Sequence, residues 1–166
     1  MGQTIDAFMT KSASAYKYKS STKKADRSYY MFSMITDATV QQQAPNFAAG
    51  ITITVVDKKI VGESMALRIG DNYAAGKELA TLHVMDFAYE SLGKPAPSSE
   101  SAANAELNQF SIAIDQVMAG TAQHVTYPGY NDRITMSRTS DGQLLVAVTP
   151  DFNQSAKTSE KGKSHK

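Results

Sequence analysis

Nine residues early in the chain combine aromatic rings with positive charge. Tyr16, Lys17, Tyr18 and Lys19 alternate in SAYKYK. The basic stretch STKKADR supplies Lys23, Lys24 and Arg27, and Tyr29 and Tyr30 open the aromatic run SYYMFSMIT. Aromatic faces stack on unpaired bases at about 1–3 kcal/mol each, and ammonium or guanidinium groups neutralise phosphates. This constellation suits sequence-tolerant binding of single-stranded nucleic acid rather than bond making. It works only if rings and cations reach solvent on a shared face or edge. The same alternation also describes a plain sheet edge, with tyrosines turned inward as core and lysines turned outward to block edge pairing. No RNP or KH motif accompanies it.

Other candidates are thinner. Lys157, Lys161, Lys163 and Lys166 gather in KTSEKGKSHK, where they could hold phosphates or the acidic surface of a neighbouring subunit. His83, Asp86 and Glu90 follow one another at offsets of three and four, so a helix lines them up on one side. That spacing admits a metal site or a His–carboxylate pair, yet no third strong ligand can be identified. His124 in HVT lacks the second hydroxyl-bearing histidine motif of a two-histidine phosphodiesterase. GDNYAAGKE has one residue too many for a Walker loop and carries Glu78 where Ser or Thr is required. Asn153-Gln154-Ser155 matches a glycosylation site only formally.

Composition narrows the classes further. The chain has 166 residues and no cysteine, which excludes disulfides, thiolate catalysis and Cys-based zinc sites. The 42% apolar content is ordinary for a globular protein. No run approaches the ~20 apolar residues of a membrane span. Residues 1–11 lack the basic segment and apolar core of a signal peptide, so the expected location is the cytoplasm or a virion. A net charge of +1 hides an asymmetry: +4 over residues 1–30, −5 over 31–150 and +2 over 151–166.

The elements that must position these residues centre on 51–92. ITITVV alternates as a strand, with Ile51, Ile53 and Val55 on one side. Asp57-Lys58-Lys59 turns the chain, and IVGESMALRI returns with Val61, Met65, Leu67 and Ile69 near one register and Glu63 breaking the set. Asp71 or Asn72 then caps a helix whose apolar arc is Leu79, Leu82, Met85, Ala88, Tyr89 and Leu92. Gly93 and Pro95 end it. A second helix follows Ser98 or Ser99, with a stripe of Ala103, Leu107, Phe110, Ile114, Val117 and Met118, and stops at Gly120. Before this region, 14–19 and 28–36 pair as a hairpin with a basic tip, 37–50 reads as a loop, and 1–12 has little pattern. After it, strands around Ile134–Ser137 and Leu144–Thr149 flank a Thr139–Gly142 turn. Residues from Asp151 are too polar to offset ordering entropy and are expected to be disordered.

The expectation is thus one α+β domain over 1–150, with an antiparallel sheet of six to seven strands, two central amphipathic helices on one face, and a disordered basic tail over 151–166. No nucleophile–base pair stands out, so the reading is a non-catalytic binding protein without cofactor or metal. Its expected partner is single-stranded nucleic acid, held with low sequence specificity. The alternative is a homo-oligomeric structural or assembly protein of viral or phage type, with basic arms on the acidic bodies of neighbours.

Overall fold

A computed structural model describes residues 4–13, 16–92, 97–126 and 134–148; the side chains of Lys11, Ser12, Leu92, His124 and Thr126 lie outside that description. The expected stop at Gly93 and Pro95, the Asn153 motif and the tail from Asp151 fall outside it too. In chain order the elements are α1 (Ile5–Ser12), β1 (Tyr16–Lys24), β2 (Arg27–Met34), α2 (Ala38–Gln43), β3 (Ala48–Val56), β4 (Lys59–Arg68), α3 (Tyr73–Leu92), α4 (Glu100–Met118), β5 (His124–Thr126), β6 (Ile134–Arg138) and β7 (Leu144–Val148). The fold is α+β. One antiparallel sheet runs β1-β2-β3-β4-β7-β6-β5, and α3 and α4 pack together on one face of it. Its two meanders, β1 to β4 and β5 to β7, meet at the central β4–β7 pair.

The core lies between sheet and helices. Ile51, Ile53 and Val55 of β3 are buried while Thr52, Thr54 and Val56 are half-exposed, as the alternation requires. In β4 Met65 and Leu67, with Ile69 just past its end, are buried in the expected register together with Glu63; only Val61 departs, half-exposed while Ile60 is buried in its place. The reason is a bulge: Thr54 pairs with Gly62 but Val55 with Ile60, so Val61 is the extra residue and the strand changes face there. In α3 the buried apolar side chains are Ala80, Val84, Met85, Phe87 and Ala88, whereas Leu82 of the expected arc is 43% exposed. Because α3 touches both the sheet and α4, its buried surface is broader and rotated relative to a single stripe. In α4 the predicted stripe holds, with Phe110, Ile114 and Val117 buried and Leu107 and Met118 partly so.

Local signals explain the boundaries. Asn72 caps α3 by accepting from the Ala75 N–H at 3.2 Å, and Ser99 caps α4 by accepting from Ala102 at 3.1 Å. Gly120, at φ +78°, ends α4. The second hairpin turns on two residues, Asp57 and Lys58, both with positive φ, and Lys59 already belongs to β4. Two elements depart from the sequence reading of their segments. Thr4 caps α1, whose Ile5 and Phe8 enter the core, and Asp37 caps the short α2 inside the expected loop.

Candidate nucleic-acid interface

The expected hairpin is present and longer than expected. The stretch taken for a polar loop continues β1 to Lys24, and the turn is only Ala25-Asp26, with Ala25 at φ +59°. Ser and Thr at 20–22 suit an outer strand because they pair across to Met31, Tyr30 and Tyr29. A second irregularity falls between Tyr18 and Ser20, leaving Lys19 unpaired. It and the lysines are devices that keep an edge from recruiting another strand.

The hairpin's rings do not share one face. Tyr18 lies 5.7 Å from Phe32 and 6.4 Å from Tyr30, and Phe32 lies 5.3 Å from Phe8 of α1. These rings therefore stand on the helix side, and Tyr18, at 41% exposed, forms the rim of that cluster. Tyr16 is on the same side, reaching toward α3. Its hydroxyl pKa is pushed up to about 12, by burial first and then by the charges of Asp86 and Glu90. Tyr29 pairs with Thr54 and faces the opposite, open side of the sheet. Lys17, Lys24 and Arg27 share that open side by register, while Lys23 alternates to the helix side. All five cations, including Lys19, are exposed.

Charge is sorted by layer. Among strand residues the basic ones are Lys17, Lys19, Lys23, Lys24, Arg27, Lys59, Arg68 and Arg138, and the acidic one is Glu63. In α3 and α4 the pattern reverses: Glu78, Asp86, Glu90, Glu100, Glu106 and Asp115 face one lysine, Lys77. The −5 of the middle segment thus sits on the helices, and the sheet keeps positive charge. Lys77 is itself engaged, at 3.0 Å from Asp115, which also accepts from the Tyr73 hydroxyl at 2.6 Å. Burial works against the Asp115 charge, but these two donors hold its carboxyl below the usual value.

His83, Asp86 and Glu90 do come together along α3, beside Tyr16. His83 stacks on Phe47 with centroids 5.9 Å apart, and burial lowers its pKa against the opposing pull of Asp86. Asp86 is raised by burial, with His83 opposing and Glu90 adding. Among the described residues no group of three or more His, Asp or Glu is arranged to hold a metal ion. A cleft of about 860 Å³ lies at the far end of the sheet, where α4 ends over the β6–β7 turn. Its Arg138 guanidinium donates to the Met118 carbonyl at 3.0 Å, which ties it to closing the α4 terminus.

The open side of the sheet carries polar residues outside the expected hairpin site. Thr52, Thr54, Ser64, Thr135 and Ser137 line that side, half-exposed. The Thr alternation in ITITVV was the available signal. The molecule defined by these layers is a two-layer α+β domain with a positive sheet and a negative helix pair. The chain matches no family model, no curated protein and no solved structure. Among the described residues no helix is long and apolar enough to cross a membrane.

Proposed function

We propose that this domain binds nucleic acid, single-stranded and with little sequence preference, through the β1–β2 hairpin. One observation carries the reading. Lys17, Lys19, Lys23 and Lys24 stand exposed on the outer strand and Arg27 at the start of its neighbour β2, and among the described residues no carboxylate is paired with any of them. Such a strip can track a phosphate backbone, and Tyr18 and Tyr29 are placed at its two sides to stack a base. The test is filter binding of single-stranded oligonucleotides across a salt series. Affinity should fall steadily with salt, and the triple variant Lys23→Ala/Lys24→Ala/Arg27→Ala should bind more weakly and with a salt slope shallower by about 2. No retention at low salt, or affinity indifferent to salt, would end the proposal.

A second reading rests on the opposite charge of the two layers. The sheet side of one copy could lie on the helix side of the next, giving a head-to-tail assembly. Light scattering after size exclusion separates the two: a strict monomer at high concentration rules out assembly, and an oligomer indifferent to nucleic acid rules out the first reading.

A further inference from the structure

We infer that bound nucleic acid continues past the hairpin and crosses the open face of the sheet, from Tyr29 and Lys17 toward β6. The inference rests on the binding proposed above and names the track the ligand follows. The one strand carboxylate among the described residues, Glu63, is 4% exposed and turned toward the helices. The opposite face therefore offers a polyanion a path across the sheet with no negative side chain on any strand. Five spacings of about 4.8 Å, from β1 to β6, make that path about 24 Å long.

What replaces charge on the path is hydroxyl. One register row runs Met31, Thr52, Ser64, Ala147, Thr135 across five strands, and the next carries Ser33 and Ser137. Serine and threonine hydroxyls donate to phosphate and sugar oxygens without reading sequence. Tyr29, one row away beside Thr54, supplies a ring at the start of the track.

The face is also kept low where the ligand would lie. Gly62 pairs with Thr54 in the ladder, and its φ is not in the left-handed region. A Cβ there would meet only Thr54, at an ordinary 3.7 Å. Neither backbone nor packing calls for glycine, although a strand-interior glycine costs about 0.5–1 kcal/mol. Such glycines mark a bulge, like the one at neighbouring Val61, or a place where something else approaches the backbone closely, and the open face above Gly62 leaves room for the second. Among the described residues no helix or ribbon projects from this face to enter a duplex groove, which favours a single strand.

The test uses the full chain and a fluorescein-labelled dT12 strand, read by anisotropy at low salt. Thr52→Glu puts a charge in the middle of the track, and Gly62→Val raises a branched side chain there. Melting curves and circular dichroism confirm that each variant is folded, and Thr52→Glu serves alone if Gly62→Val is not. Each should weaken binding at least tenfold. If both bind within twofold of the parent while the hairpin triple variant loses affinity, the strand stays on the hairpin and the track is overturned with the hairpin site intact. If the parent does not bind dT12, both readings fall. If Thr52→Glu dissociates an oligomer and leaves dT12 affinity unchanged, a second copy occupies the face and the track is again overturned.

Discussion

Replacing Glu63 with glutamine should remove a pH dependence of stability that the parent carries. Glu63 sits in the middle row of the inward face, flanked by Ile53 and Val148. Its Oε2 has no hydrogen-bond partner among the described residues. Burial raises its pKa from 4.5 to about 7; a hydrogen bond from Ser91 opposes the rise and the charge of Glu90 adds to it. Between these two values the folded chain keeps a proton that the unfolded chain has released. Stability from this group is therefore complete below pH 4.5 and is lost as pH rises toward and through 7. At about 1.36 kcal/mol per pH unit, the loss amounts to about 3 kcal/mol. Glutamine has the same shape and no proton to lose. Urea unfolding of parent and Glu63→Gln at intervals from pH 4 to 8.5 reads the difference, which should grow by about 3 kcal/mol in favour of the variant. With a urea slope of about 2 kcal/mol/M, the midpoint gap widens by about 1.5 M. Glu90→Gln should shrink the effect, because it removes a neighbouring negative charge. A difference that stays flat within about 1 kcal/mol across the range would refute the reasoning.

Gly76→Ala should destabilise the protein by about 2–3 kcal/mol in chemical unfolding even though alanine favours helix, because its Cβ would stand 2.1 Å from the Ile69 carbonyl oxygen. Lys58→Gly should stabilise by about 0.5–1 kcal/mol, since Lys58 holds φ +66° in a turn that glycine occupies without strain. The His83 imidazole should titrate below 6.5 by NMR, so its contribution to stability is lost as pH falls below that value. Asp86→Asn should move the His83 midpoint further down by removing the charge that opposes burial.

Where burial follows one period, the sequence was readable. β3, α4 and the β6–β7 turn came out as expected because each presents a single apolar side and a turn residue with the required φ. α1 did not, because among its described side chains only Ile5 and Phe8 are buried, although Thr4 and Asp6 are ordinary start signals. α2 buries nothing among its residues, so no period exists to be seen. The bulges at Lys19 and Val61 exchange the faces of the residues on either side, and nothing in the local composition announces them. The hairpin cations could be placed from sequence because an edge strand exposes them whatever its register. The rings could not: alternation puts Tyr16 and Tyr18 together, but which side faces the helices depends on α1 and α3, far away in sequence or of too little pattern. Leu82 shows the same limit, since a helix with two packing partners has no unique apolar arc.

The seam between β4 and β7 joins residues about 80 apart in sequence, and closing a loop of that length costs about 4 kcal/mol beyond a constant. The first meander can form from local pairings well before the seam closes. During that interval β4 is a bare outer strand, open to any passing chain. Glu63 then lies in water, ionised at neutral pH, on the apolar side that a stray strand would have to cover. The carboxylate that burdens the finished core thus repels wrong partners from the unfinished one, and it gives up its charge more readily once β7 has arrived to seal it in.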